Sequence, residues 1–198
     1  MSRVGSREPA TVGLAGRRSI ADLIWVANTR HGPGGHWFAR VTRDEGDHDH
    51  LRAAADAVRY LVDHGVDVPP EPPTDVDLAD LAAIREMVRG LRDPLAGWTE
   101  AVLAILARAR YGLGQEGRIG AAGTGWDAFT ADLLVPLLEV VRLRERLLIC
   151  GNPHCRLVFL DASKSGTRRW CDDAGCGNRD RVRRHRATTL AAPSTMRP

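Results

Sequence analysis

The sequence predicts a mainly α-helical chain, in which a helical N-terminal domain is followed by a small cysteine-bearing module. Three observations predict this. The 198 residues favour Ala, Leu, Val and Arg, with aromatics at only 5%, a composition that suits helices. Apolar residues recur at three- and four-residue spacing in several stretches before residue 149. The only four cysteines fall in two pairs of the same spacing, Cys150-x4-Cys155 and Cys171-x4-Cys176, toward the C-terminal end. A chain of this length has room for one ordinary domain and a small module beside it.

The elements follow in order. Residues 1–18 mix Arg, Gly, Glu and Pro without an apolar run, and read as a disordered leader, not a secretory signal. The helical domain is expected over residues 19–149. Ser19 is placed to cap a first helix to Arg30, with Ile20, Leu23, Ile24 and Ala27 on one face. His31 and the glycines after it break the chain. Residues 36–50 read as a loop with room for one short strand. Within it Asp44, Glu45, Asp47, His48, Asp49 and His50 are metal-friendly types, but acids are favoured just before a helix, so a solvated entry loop is expected. Neither His31 nor His36 stands beside a Ser or Cys motif that would make a catalytic set.

Leu51 to His64 is the second helix, with Gly65 just past its end. Four prolines in residues 66–73 make a linker. Thr74 with Asp77 forms a capping box that opens a third helix, striped by Leu78, Leu81, Ile84, Val88 and Leu91. Asp93-Pro94 starts another helical stretch, continued from Thr99 to Tyr111. Residues 112–125 carry six glycines but no phosphate-loop or dinucleotide fingerprint, which leaves a flexible loop or a small hairpin. Trp126 to Leu148 reads as the longest helix, with Pro136 inside it and Arg142, Arg144 and Arg146 at its end. Trp25, Trp37, Trp98 and Trp126 are expected to fill the core rather than line a ligand pocket.

The cysteine module spans residues 150–187. No stretch of 18 apolar residues is present, so no membrane span is expected and a cytoplasmic, reducing compartment follows. There, paired cysteines read as metal ligands before disulfides, and a redox pair would have two intervening residues instead of four. Two ligand pairs separated by a segment that turns back suit tetrahedral zinc. Cys150, Cys155, Cys171 and Cys176 would fill all four positions with thiolate, a closed structural site for one Zn2+. His154 lies between the first pair as a weaker competitor. Arg156 to Leu160 reads as a strand, Asp161 to Gly166 as a turn, and Thr167 to Trp170 as a returning strand. Asp172 or Asp173 then caps a helix to about Arg186. Knuckle, β-hairpin and helix is a treble-clef-like finger. Residues 188–198 read as a disordered tail.

The motifs Cys150-Gly-Asn-Pro-His-Cys155, Phe159-Leu-Asp-Ala-Ser163, Arg168-Arg-Trp-Cys171 and Cys176-Gly-Asn-Arg179 together resemble the CGNR zinc-finger family. In that family the finger follows a helical ABATE domain, and Asn28-Thr29 resembles that domain's opening, with Trp25 where its pattern has Asp. The resemblance implies a stress-induced transcription regulator.

Charge points the same way. From Arg142 onward there are 13 basic and 5 acidic residues, against 15 and 20 before it. Phosphate would be repelled by the body and attracted to the finger. Arg179, Arg183 and Arg186 share one helix face, Arg181 and Arg184 widen it, and Arg168 and Arg169 alternate on the returning strand. Val182 and His185 are expected to pack against the hairpin with Trp170. These seven arginines are the candidate DNA contacts, by charge at phosphates and by guanidinium fork at bases. The expected function is zinc-dependent DNA binding in transcription regulation. The body would serve as the seat of a small-molecule effector or as a homodimer surface. The rival is a zinc-stabilised protein-interaction module without nucleic acid. With no nucleophile elbow, P-loop or HExxH, an enzyme is not expected.

Overall fold

The computed structural model describes residues 18–32, 48–93, 98–113 and 118–191. Outside them lie the leader up to residue 17, Trp37, His36, Asp44, Glu45, Asp47, the start expected at Pro94 and the tail from residue 192. Among the described residues there are six helices: α1 (Ile20–Ala27), α2 (Ala54–Asp63), α3 (Asp75–Gly90), α4 (Glu100–Arg108), α5 (Gly125–Arg142) and α6 (Asn178–Ala191). Three short antiparallel pairs join them: β1 (Arg30–His31) with β2 (His48–Asp49), β3 (Tyr111–Leu113) with β4 (Ile119–Ala121), and β5 (Leu147–Ile149) with β6 (Val158–Leu160).

Two helices, α1 and α3, start at the caps expected of them. Ser19 and Asp22 form a reciprocal capping box at α1, and Thr74 and Asp77 do the same at α3. Thr99 accepts from the Val102 N–H at the start of α4. Gly65 closes α2 with φ +75°, a conformation costly for any residue with a Cβ. Within the glycine-rich stretch β3 and β4 pair antiparallel, and the N–H of Ala121 on the second strand donates to the buried Asp132 carboxylate at 2.5 Å.

Helix α5 is the axis of the core. Its Phe129, Leu133, Leu137 and Val140 meet Leu23 and Val26 of α1, Leu81, Ile84 and Val88 of α3, and Val102 and Ile105 of α4. Each of these side chains is essentially excluded from water, and burial of one such side chain stabilises by about 1.5–3 kcal/mol. Trp126 is buried in the core and Trp25 packs at its margin, as expected, whereas Trp98 packs on the core and also lines a cavity.

The chain departs from expectation after α5. The helix ends at Arg142, not Leu148. Leu147–Ile149 instead forms β5, in register with Leu160, Phe159 and Val158. Leu147 and Val158 belong to the same core as the helices. A boundary at residue 150 therefore falls between the two strands of one hairpin.

The end of α1 holds the outer edge of that hairpin. The buried Asn28 side chain accepts from the Val158 N–H at 2.7 Å and donates to the Val158 carbonyl at 3.0 Å. One amide thus stands in for a further strand residue. Arg89 of α3 adds donations to the carbonyls of Ala27, Arg30 and Arg156 at 3.2–3.3 Å. Gly32 closes the approach. Its N–H donates to the Cys155 carbonyl at 2.9 Å, and a Cβ there would stand 2.7 Å from the His154 carbonyl oxygen.

The expected solvated loop around His48 and His50 is also corrected. His48 and Asp49 pair with β1, and the histidine rings are half-buried against His31 and Tyr60. Burial is the largest cause lowering both His31 and His50, with further lowering by neighbouring imidazoles. His50 falls to about 4.

Candidate metal centre

The loop from Cys150 to Arg156 is closed at its base and within. The Cys150 N–H donates to the Leu157 carbonyl at 2.7 Å, which extends the β5–β6 pairing to the first ligand. The Asn152 carbonyl then accepts from the N–H groups of Cys155 and Arg156, and its side chain accepts from His154 N–H at 3.1 Å. Arg156 leaves the loop in the left-handed region, φ 57°. The result is a tight knuckle that turns Cys150 and Cys155 toward the same point.

The other two ligands come back by a different route from the one expected. No returning strand forms over Thr167–Trp170. The reason lies in Asp161, whose buried carboxylate accepts from Ser163 N–H at 2.9 Å and from Arg168 N–H at 3.0 Å. Hydrogen bonds from Ser163 and from these backbone groups hold the Asp161 carboxyl below its usual range. The loop is therefore organised around a side chain, and the Arg168 N–H is spent locally. Arg146 secures the same loop, donating to the Ser163 carbonyl at 2.7 Å. The Gly151 N–H takes the Arg169 carbonyl at 2.9 Å and draws this segment onto the knuckle.

Asp172 caps the last element, accepting from the N–H groups of Ala174 and Gly175. A wide π-type turn over Asp173–Gly177 brings Cys176 inward, and α6 runs on from Asn178. Gly177 is required by packing, since a Cβ would meet Asp173 Oδ1 at 2.9 Å and the Trp170 ring at 3.1 Å.

The four sulfurs converge. All lie within 4.8 Å of one another, with Cys155 to Cys171 at 3.6 Å and Cys171 to Cys176 at 3.8 Å. Four thiolates about 2.3 Å from a tetrahedral ion would stand about 3.8 Å apart, so the cage has the size of a zinc site. Cys150, Cys155 and Cys176 are buried and Cys171 half-buried, with Phe159, Leu148, Leu157 and Trp170 around them. Thiols this close cannot all ionise unaided. Hydrogen bonding from Cys155 and Cys171 pulls the Cys150 thiol down. Sharing with Cys150 pushes Cys155 and Cys171 upward. A dication offsets that repulsion and lets all four bind as thiolates. With every tetrahedral position taken, no place is left for water, which makes the site structural. His154 is exposed and outside the group.

The seven candidate arginines are all exposed. Arg168 donates to the Cys171 carbonyl at 2.8 Å and lies over the Phe159 ring; Arg169 lies over Trp170. Arg181 donates to the Asp173 carbonyl at 3.2 Å. Arg183 and Arg184 both pair with Asp180, at 2.5 and 2.9 Å. Sequence reasoning passed over Asp180, although its i+3 and i+4 spacing to these arginines is readable. The expected packing of Val182 and His185 is not formed among the described residues: residues 181–189 are exposed throughout, Val182 at 41%. Helix α6 also continues past the expected end, to Ala191.

Residues 146–188 match the family model of the CGNR zinc finger. The match begins one residue before β5 and takes in all four cysteines. Together, match and cage make this segment a zinc-dependent module that holds one structural Zn2+. No curated protein matches the chain.

Proposed function

We propose that the protein is a cytoplasmic, zinc-dependent DNA-binding transcription regulator and not an enzyme. One observation carries the reading. Five of the seven exposed arginines lie within eight residues of α6, and residues 181–189 of that helix are exposed. A metal-anchored cationic helix exposed over this length suits the charged groove of a duplex. On this reading the knuckle and the turn that carries Cys176 into α6 are the metal-holding parts of a treble clef. The acidic body, ABATE-like by resemblance, keeps phosphate on the finger side.

The body supports the effector reading as well. Trp98, Leu103, Leu106, Leu134, Val135 and Leu138 line a cavity of about 440 Å³ between α4 and α5. Its size is that of a small-molecule site, and its apolar walls suit an apolar effector. Leu103, Leu106 and Leu138 remain 44–50% exposed there.

Anisotropy of labelled duplex DNA against salt tests the main proposal. Zinc-loaded protein should bind with a steep negative salt slope. Arg179→Ala and Arg183→Ala should each lower the slope by about one phosphate contact. Zinc-loaded protein that fails to bind at low salt would leave the protein-interaction reading in its place.

A further inference from the structure

A second group of metal-ligating side chains lies on the helical body, apart from the four cysteines. His31 stands directly opposite His48 in the β1–β2 pair, and Arg30 opposite Asp49. Directly opposed residues share a face, so His48 turns to the same side as His31, and His50, which opens the 3-10 turn after β2, brings its ring to His31 as well. Asp49 turns to the other, where its carboxylate meets the buried Arg85 guanidinium at 2.7 Å. The ring centroids of His31 lie 5.3 Å from His48 and 5.4 Å from His50, and the latter two are 6.2 Å apart. Nε2 of His31 and Nε2 of His50 face each other at 3.3 Å. Nδ1 of His31 is 2.8 Å from the Gly32 carbonyl oxygen. A carbonyl only accepts, so Nδ1 carries the proton and Nε2 turns its lone pair toward His50.

We infer that His31, His48 and His50 form a second metal site, for a divalent transition ion of the Zn2+, Co2+ or Ni2+ class. Imidazole nitrogens bound at about 2.0–2.1 Å around a tetrahedral ion lie about 3.3–3.4 Å apart, the separation of the two Nε2 atoms. Three imidazoles around one ion place their centroids about 5 Å apart, close to the two distances from His31. A ligating histidine that gives its other ring proton to a backbone carbonyl has its tautomer and orientation set in advance. Tyr60 stacks on His50 at 4.4 Å, and the Asp49–Arg85 pair pins the strand between the two other histidines. Among the described residues only the four cysteines bring all their ligand atoms within 4.8 Å, so the inferred site requires the His48 side chain to turn toward His31 and His50 when the ion binds. Imidazole donors suit these ions better than calcium or magnesium, which take oxygen. Three protein ligands leave one position for water or another small ligand. The ion would brace the ladder that delivers Gly32 to the Cys155 carbonyl, and so would strengthen the seat of the knuckle.

Stepwise cobalt titration of the full chain separates the two sites. The first equivalent should show the intense sulfur-to-metal charge transfer of the cysteine cage. A second should bind without it. His48→Ala and His50→Gln should abolish the second equivalent and leave the first intact, and the retained thiolate band shows that each variant is folded. His48 is half-buried and the milder change, so it decides the matter if His50→Gln unfolds. Uptake of one equivalent only would overturn the inference and leave a hydrogen bond between two neutral imidazoles. A second equivalent unaffected by either variant would overturn it too.

Discussion

Asn28→Ala isolates what couples the helical body to the finger. The side chain is 2% exposed and makes two hydrogen bonds to one backbone residue, Val158, itself 2% exposed. Alanine removes both partners and supplies nothing. The Val158 N–H and carbonyl are then left buried and unpaired, each at about 1–3 kcal/mol. A total loss of about 2–4 kcal/mol allows for some relaxation, and corresponds to a fall in Tm of about 5–15 °C for a chain of this size. Val158 lies three residues beyond Cys155, so the knuckle should loosen as well and zinc should leave faster. Asn28→Asp keeps the acceptor but sets a carboxylate oxygen against the buried Val158 carbonyl, and should destabilise at least as much as alanine. The measurements are urea unfolding of the zinc-loaded protein and zinc release to a chromogenic chelator. A loss below about 0.5 kcal/mol would refute the reasoning, because it would mean that water or a backbone shift satisfies Val158 at no cost.

Further outcomes can be checked with the same protein. Gly32→Ala places a methyl group against the His154 backbone, 2.7 Å from its carbonyl oxygen, and should cost about 1–3 kcal/mol while speeding zinc loss. Chelating the zinc should remove the helical circular-dichroism signal of α6, a 14-residue helix exposed over residues 181–189, while the five body helices persist. The histidine cluster should impose a pH dependence. The folded-state pKa of His50 lies at about 4, below its ordinary 6.5, so the unfolded chain takes up the proton first as pH falls. Stability should therefore decline from about pH 6.5 to about pH 4 and level off below. With one zinc equivalent bound, the curve for His50→Gln should be flatter than wild type across that window.

Local chemistry made much of the body legible. Ser19 and the Thr74–Asp77 box act on groups within three residues and cap the helices expected of them, whereas Thr99, expected inside a helix begun at Asp93-Pro94, caps one of its own. The four cysteines were equally plain, since their spacing is itself the signal. The hairpin was not. Leu147, Leu148 and Ile149 continue the apolar pattern of α5, and only the distant Val158–Leu160 decides that they are a strand. The same holds for Thr167–Trp170, which look like a strand until Asp161 claims the Arg168 N–H. Val182 was assigned a packing role on periodicity alone, but periodicity cannot say whether a facing surface exists. The histidines were hidden for a related reason. Two strands of two residues each carry no periodic signal, yet their pairing is what gathers His31, His48 and His50.

The pairing of Leu147–Ile149 with Val158–Leu160 governs how such a chain can be cut and rejoined. A finger excised at residue 150 would keep its metal ligands and lose the partner of its own strand, leaving Val158 with an open edge on either side. A body ended at Ile149 would carry half a hairpin with nothing to pair it. A transplanted finger would need a host with an amide placed like that of Asn28 and an apolar seat for Val158. The zinc finger here is less a cassette than a graft, and its rootstock is the end of α1.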